Sequence, residues 1–506
     1  MLLNRISHGF CHLDPNLEAE SFALRRVSVP FRARPVAFLN WLQGRKNDKR
    51  RSSCTADELH YVPVSDSDWK LSLWRYLPSP QAPTRNHPLL LLSGVATNAI
   101  GYDLSPESSF ARFMSAQGFD TWTLEVRGSG LSMRGGDSGE HNNDLGASFV
   151  SETPSMKIRE SEYEMVTKYG EPQPTPKMMD VSTRLSNKFS DVISGDLRGM
   201  RQNSTIASQI RDLKRRLQTT TGGDQPLFPA QVLELQERLI ASMQEFQEQL
   251  ELVTNNDWDF DHYLEEDVPA AMEYIRNKCQ PKDGKVHAIG HSMGGILLYA
   301  TLSRCRFLGK HSGLASVVTL ASSLDYSPSR SSLKLLLPLA EPAQALKIPV
   351  IPVGPILAAV YPLANYPPYA LSWLNYQISA QEMDQKLFQK LVLNNFCTIP
   401  SKLLLQLKSV FEKGGLCDRS GTFFYKEHLP KSKVPILAVA GDQDLICPPE
   451  AVYETAKLVP EDLITYKVFG EPGGPHYAHY DLVGGRKVAD QVYPCLTEFL
   501  IHHDMD

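Results

Sequence analysis

Short apolar runs that alternate with amphipathic segments are the feature of this sequence that most constrains its fold. The run at 88–94 (PLLLLSG) is apolar almost throughout and ends in glycine, as expected of a strand buried on both faces. An amphipathic helix (SSFARFMSAQGF) follows, and then a second strand (DTWTLEVRGSG). Parallel strands need a crossover connection, usually a helix, so this order predicts an α/β protein with a mostly parallel sheet and helices on both faces.

The alternation of strands and helices is interrupted twice, which predicts a discontinuous core. We place this core at 56–132, 258–323 and 431–506. The polar segment 133–257 carries two apolar seams with intervals of three and four residues and predicts an inserted helical hairpin. The segment 324–430 is rich in proline, leucine and aromatic residues and predicts a second, apolar insertion.

The amino-terminal segment 1–55 differs in composition from the rest. Its first 51 residues contain ten Arg or Lys and four acidic residues, and they include no continuous apolar region of the kind found in secretory signals. The enrichment in arginine and serine favours an organellar transit peptide, and a basic disordered leader without a targeting role is the alternative.

Composition excludes several classes of partner and cofactor. The net charge of −5 leaves no basic excess, so we expect no nucleic-acid partner. The eight cysteines lack CxxC pairs and any metal-ligand spacing, so we predict reduced thiols, no metal and no cofactor. No unbroken apolar run reaches the roughly 18 residues that a membrane-spanning helix needs.

The motif GHSMG at 290–294 carries the clearest chemical signal. It fits G-x-S-x-G and lies directly between a predicted strand (KVHAI) and a predicted helix, the context of a nucleophile elbow. Flanking glycines permit the sharp turn, and the serine lies at a helix amino terminus, where the helix dipole favours developing negative charge. Ser292 is therefore the predicted nucleophile.

A serine hydroxyl needs a base to take its proton, and the base in turn needs an acid to orient it. In this type of site the chain order is serine, acid, histidine. Asp442 and Asp444 follow a predicted buried strand (ILAVAG), and His476 and His479 lie in the loop before the last helix. Chain order leaves both members of each pair open.

At these residues the sequence resembles the lipase/esterase-like α/β-hydrolases. Their acid lies in a G-x-x-D-x-x-x-P setting, and their histidine precedes a hydrophobic-Asp-hydrophobic stretch and a glycine, as in HYDLVG at 479–484. The residues that match the first pattern are Gly441, Asp444 and Pro448. The resemblance implies Asp444 as the acid and His479 as the base, with Asp442 capping its loop and His476 at the rim of the site.

The expected oxyanion hole consists of two backbone N–H groups, those of Met293 and, from the loop after the early strand, Val95. The resemblance covers the discontinuous core and implies the α/β-hydrolase fold. Both insertions fall outside the resemblance. The helical-hairpin insertion precedes the nucleophile strand, and the insertion at 324–430 follows the sixth strand, where lids of this fold usually lie.

These observations predict a carboxylic ester hydrolase that works through an acyl-enzyme. The apolar lid favours a lipophilic long-chain substrate and peripheral contact with a membrane. The whole chain also resembles plant α/β-hydrolases, including those of plastid tocopherol synthesis, which implies a prenyl (phytyl-type) ester and a plastid location, with the cytoplasm as the alternative. Two other functions stay open: an acyltransferase using the same three residues, and a catalytically silent ligand-binding protein.

Overall fold

One large sheet organises the part of the chain that the structure, a computed structural model, describes. The described residues are 54–135, 258–331, 350–365, 369, 372–380 and 382–504. The predicted leader lies outside them except for Cys54 and Thr55, and so does the predicted helical hairpin except for its first three residues.

Eleven strands occur among the described residues. They are β1 (Glu58–Pro63), β2 (Trp69–Tyr76), β3 (Leu89–Leu92), β4 (Thr121–Glu125), β5 (Met133–Arg134), β6 (Val286–His291), β7 (Leu314–Leu320), β8 (Val350–Pro352), β9 (Thr398–Pro400), β10 (Ile436–Gly441) and β11 (Ile464–Phe469). The large sheet has the order β1-β2-β4-β3-β6-β7-β10-β11, with β5 paired to β2. Strands β1 and β2 pair antiparallel, as does β2 with β4, and all pairs from β4 to β11 are parallel.

Helices connect these strands. They are α1 (Phe110–Ala116), α2 (Phe260–His262), α3 (Val268–Cys279), α4 (Met293–Phe307), α5 (Val353–Asn365), α6 (Asn375–Ile378), α7 (Gln385–Asn394), α8 (Ser401–Lys408), α9 (Pro449–Ala456), α10 (Asp481–Gly484) and α11 (Val488–His502). Right-handed crossovers that run in opposite directions along a sheet place their helices on opposite faces. The crossover through α1 runs opposite to those through α4 and α9, so the sheet is covered on both faces.

The centre of the sheet is buried along the whole length of β3, β6 and β10. For β3 and β10 this matches the continuous apolar runs of the sequence, because strands covered on both faces do not alternate between apolar and polar residues. On one face, Tyr493 of α11 packs against Phe110 and Phe113 at ring-centroid distances of 4.9 and 4.8 Å. The predicted mostly parallel sheet is confirmed, and its order, together with the serine at the β6–α4 turn, is that of the α/β-hydrolase fold.

The helix before β6 is interrupted where proline enters it. A π-helical segment (Tyr263–Asp267) separates α2 from α3, and Pro269 lies in the first turn of α3. Proline lacks an N–H and clashes with the preceding turn, so it is tolerated at a helix start and not within one. The backbone stays right-handed helical from His262 to Val268, so the chain next to Pro269 changes from α-type to π-type hydrogen bonding without leaving the helix.

The core extends beyond two predicted boundaries. Cys54 is buried, and Thr55 donates hydrogen bonds to the Asp103 carboxylate from its backbone N–H and its hydroxyl, so the core begins before residue 56. At the other end of the first core segment, β5 pairs with Trp69 and Lys70 of β2, so the sheet continues past residue 132. Two-residue strands such as β5 carry no readable period, which is why sequence reasoning missed it.

The segment predicted as a lid forms a small substructure of its own. Strands β8 and β9 pair antiparallel, and four helices, α5 to α8, follow or separate them. Backbone and side-chain hydrogen bonds join this segment to the core at the loops after β3 and before α10. None of the helices in the described ranges is both long and apolar enough to cross a membrane.

Candidate active site

Ser292 lies on a sharp turn between the end of β6 and the start of α4. Its backbone has φ 56° and ψ −121°, a region that non-glycine residues adopt only under strain. A Cβ atom at Gly294 would lie 2.0 Å from the carbonyl oxygen of Leu92, and one at Gly290 would lie 2.3 Å from the Gly294 carbonyl carbon. Only glycine fits at these two positions, and the predicted elbow geometry is confirmed.

The strained turn is held by the neighbouring strand β7. The Ser292 N–H donates to the carbonyl of Leu320 at 2.9 Å, and the Ser322 hydroxyl donates to the Ser292 carbonyl at 2.8 Å. Hydrogen bonds to both backbone groups of one residue fix its orientation, so the elbow keeps its strained conformation.

The loop after β3 runs directly beside the Ser292 side chain. A Cβ atom at Gly94 would lie 3.2 Å from Ser292 Cβ and 3.6 Å from Ser292 Oγ. Val95 is the next residue of this loop and is half-buried. Met293 is the first residue of α4, where an N–H group has no acceptor within the helix. The structure therefore brings the two residues predicted for the oxyanion hole to the surroundings of Ser292.

Asp444 and His479 form a buried hydrogen-bonded pair. His479 Nδ1 lies 2.8 Å from Asp444 Oδ2, and the two side chains are 4% and 0% exposed. The other carboxylate oxygen of Asp444 accepts the backbone N–H groups of Ile446 and Cys447, each at 2.8 Å. Asp444 is thereby fixed and orients His479 with its proton on Nδ1, which leaves Nε2 free to act as a base.

The alternative residues, Asp442 and His476, form a second pair that lies nearer the surface. His476 Nδ1 is 2.5 Å from Asp442 Oδ2, and the side chains are 41% and 21% exposed. The remaining oxygen of Asp442 accepts the N–H of Tyr477 at 2.9 Å, so this carboxylate joins its loop to the loop of His476 and His479 instead of capping its own loop. Hydrogen bonding alone does not distinguish the two pairs, whereas burial does.

His291, which sequence reasoning passed over as the first variable position of the motif, connects the elbow to the His479 loop. Its Nε2–H donates to the backbone carbonyl of His479 at 2.9 Å, and the two rings are 4.6 Å apart. Burial and the neighbouring His479 lower the pKa of His291 well below its usual range, so it is a neutral donor. In the described part of the chain the Ser292 hydroxyl makes no hydrogen bond, and His291 is the link between Ser292 and the buried pair.

The segment predicted as a lid is bonded to the loop that runs beside Ser292. The N–H of Cys397 donates to the carbonyl of Ala96 at 2.7 Å, and the N–H of Asn98 donates to the carbonyl of Asn395 at 3.0 Å. These two hydrogen bonds fix the position of the loop that contains Val95. The conformation of the loop therefore depends on residues about 300 positions later in the chain.

The same segment is also bonded to the loop that carries His479. The N–H of Tyr480 donates to the carbonyl of Ile378 at 2.8 Å, and Asp481 accepts hydrogen bonds from the Ser379 hydroxyl and the N–H groups of Ala380 and Ala478. Burial raises the pKa of Asp481 to about 6, and these three donors act in the opposite direction. Asp481 thus joins the segment predicted as a lid to the loop of His479.

Comparison with known proteins shows distant structural similarity only. No family model and no curated protein sequence matches the chain. Among solved structures, the chain is similar to a soluble variant of monoglyceride lipase from Saccharomyces cerevisiae, with 12% identity, TM-score 0.43, and 90% of this chain and 99% of that one covered. It is also similar to an esterase from Exiguobacterium antarcticum, with 10% identity, TM-score 0.41, and 88% of this chain and 98% of that one covered. A third similar structure is the enol-lactonase from Burkholderia xenovorans LB400, with 11% identity, TM-score 0.38, and 88% of this chain and 99% of that one covered.

Proposed function

We propose that this protein is a serine hydrolase that cleaves carboxylic esters through an acyl-enzyme. The observation that carries the proposal is the buried Asp444–His479 pair, joined through His291 to the strained Ser292 turn. A nucleophile, a base and an acid that orients the base are the three groups that acyl transfer to serine requires.

In the proposed reaction His479 Nε2 takes the proton of the Ser292 hydroxyl as Ser292 Oγ attacks the ester carbonyl carbon. The oxyanion of the tetrahedral intermediate accepts hydrogen bonds from the N–H groups of Met293 and Val95. The intermediate collapses as His479 gives the proton to the leaving alcohol, and the acyl group stays on Ser292. Water, deprotonated by His479, then attacks the acyl carbon and releases the acid.

Within this mechanism Asp444 stabilises the imidazolium form of His479 without taking a proton itself. The hydrogen bond between Ser292 Oγ and His479 Nε2 is expected to form in the substrate complex, since catalytic hydrogen bonds are often long or poorly aligned in free enzymes. Fluorophosphonate probes phosphonylate an activated serine and test this assignment. Labelling should map by mass spectrometry to the peptide that contains Ser292. An unlabelled protein would instead fit a silent ligand-binding function.

The proposed substrate is a lipophilic ester with a long acyl or prenyl chain. Support comes from the lid, which contacts the loops on both sides of Ser292 and contains the apolar helix α5 (VGPILAAVYPLAN). Two lid aromatics, Tyr369 and Tyr376, are exposed, which suits peripheral contact with a lipid surface. The phytyl-type ester and the plastid location remain predictions from the sequence.

Chain length should control the rate if the lid contacts the substrate chain. Each buried methylene contributes about 0.8 kcal/mol, so two additional carbons should raise kcat/KM by roughly tenfold until the apolar surface is filled. The measurement is kcat/KM for p-nitrophenyl esters from acetate to palmitate, each below its own micelle-forming concentration. Parallel reactions with Ser292→Ala give the background. A flat series, or a preference for acetate, would leave a general esterase without a lipid-binding lid.

His291 is expected to act as a positioning residue for the base. His291→Phe removes the donor to the His479 carbonyl, so kcat should fall by about 10- to 100-fold while KM changes little. The exposed His311 provides the matched control, and His311→Phe should leave kcat unchanged. Thermal unfolding checks that both variants are folded. A His291→Phe protein with normal kcat, or with an altered KM alone, would rule out the positioning role.

A further inference from the structure

Two histidines and one aspartate meet at the amino ends of the central strands, away from Ser292. His87 lies two residues before β3, His287 is the second residue of β6, and Asp504 lies two residues after α11. All three side chains are buried, His287 completely. They come from parts of the chain some 200 residues apart, so no sequence motif contains them and the spacing of residues predicts no metal.

The separations of their polar atoms suit a shared divalent cation. His87 Nδ1 lies 3.0 Å from Asp504 Oδ1, His287 Nε2 lies 3.4 Å from the same oxygen, and one potential ligand atom from each residue falls within 4.8 Å of the others. Zinc binds imidazole nitrogen and carboxylate oxygen at about 2.0–2.2 Å, so two ligands at a tetrahedral angle are roughly 3.4 Å apart. The cluster thus needs only small movements to accept zinc.

The outer hydrogen bonds of the two histidines point to a ligand. His87 Nε2 lies 3.1 Å from the Asp283 carboxylate, and His287 Nδ1 lies 2.9 Å from the Ser316 hydroxyl. Metal-bound histidines usually donate their second ring N–H to such a partner, which fixes the ring and its tautomer. With Nδ1 protonated, His287 Nε2 carries a lone pair, and this buried atom faces Asp504 Oδ1 at 3.4 Å without the geometry of a hydrogen bond.

We propose that His87 Nδ1, His287 Nε2 and Asp504 Oδ1 bind a zinc ion, with water as the fourth ligand. The ion would join the segment after α11 to the starts of β3 and β6. These two strands are already paired there, since the His287 N–H donates to the Pro88 carbonyl at 2.9 Å. A strand rises about 3.3 Å per residue, so Ser292, five residues after His287, is roughly 17 Å away. The role is therefore structural and independent of the proposed ester hydrolysis.

The test uses full-length, tag-free protein, because a histidine tag would itself bind zinc. After treatment with a chelator and dialysis, titration calorimetry with ZnCl2 should show one site per chain, and zinc should raise Tm. Cobalt(II) in the same site should give the visible absorption of a four-coordinate ion. Asp283→Asn, which changes a partly exposed outer residue, should weaken zinc binding by about 10- to 100-fold.

His87→Gln removes one ligand and should abolish stoichiometric binding and the gain in Tm. The matched control is His60→Gln, since His60 pairs with a single carboxylate, Glu58, at 2.8 Å and should contribute nothing to zinc affinity. The proposal is wrong if the wild-type chain shows no saturable binding, or if Asp283→Asn and His87→Gln bind zinc like the wild type. Should His87→Gln fail to fold, the comparison of Asp283→Asn with His60→Gln still decides.

Discussion

Ser292→Ala is expected to abolish fluorophosphonate labelling and to lower kcat for ester hydrolysis by at least about 10⁴-fold. The substitution removes the atom proposed to form the acyl-enzyme, so any residual turnover would come from binding and the proposed oxyanion hole. Stability should be nearly unchanged, because the Ser292 hydroxyl makes no hydrogen bond within the described residues and the turn is held through the Ser292 backbone.

The measurements are kcat on p-nitrophenyl butyrate, probe labelling, and Tm by calorimetry. The exposed Ser420 provides a matched control, and Ser420→Ala should keep both labelling and rate. If Ser292→Ala retains wild-type labelling with an unchanged Tm, the nucleophile is another residue. If both rate and Tm collapse, the effect is on folding, and Ser292→Cys, which keeps a nucleophilic atom, then separates the two causes.

The parts of the fold that could be predicted are those whose cause is local. Strands β3 and β10 are continuous apolar runs in the sequence because both of their faces are covered. The elbow at Ser292 is marked by glycines at positions where a Cβ atom has no room. Each of these signals lies within a few residues of the feature it predicts.

The parts that could not be predicted depend on contacts between distant residues. His291 donates to the carbonyl of a residue 188 positions later, and nothing near the motif marks its side chain as a donor. The buried cluster forms because the segment after α11 packs beside the starts of β3 and β6, and it consists of His87, His287 and Asp504. Three hydrogen bonds between the segment predicted as a lid and the loops near Ser292 join backbone groups, at Ala96, Asn98 and Tyr480, and backbone groups are present in every residue type.

Chain order also could not decide between the two acid–histidine pairs. Both pairs are hydrogen-bonded at short distance, and both come from the same two loops. The two pairs differ in burial, and residue type alone does not show which aspartate and which histidine are buried. A resemblance to known motifs favoured Asp444 and His479, and the low dielectric around this pair gives a physical reason for the choice, since charge stabilisation is stronger there.

Substitutions within these two pairs should therefore have very different effects. His479→Ala is expected to lower kcat by about 10⁴-fold or more, and Asp444→Asn by about 10⁴-fold, because the base is lost in the first and held in the wrong tautomer in the second. The matched variants His476→Ala and Asp442→Asn change a pair of the same chemistry nearer the surface and should retain most of the wild-type kcat. The His479 carbonyl that accepts from His291 belongs to the backbone, so the loop should keep this anchor in His479→Ala.

The four variants are compared by kcat and KM on one ester, with Tm measured for each. Loss of activity in the His479 and Asp444 variants at nearly unchanged Tm would identify the catalytic pair, because a purely structural pair would change Tm and rate together. The opposite result, an inactive His476→Ala beside an active His479→Ala, would transfer the base to His476 and the acid to Asp442. Equal losses in all four would mean that the two loops act as one unit, in which neither histidine works without the other pair in place.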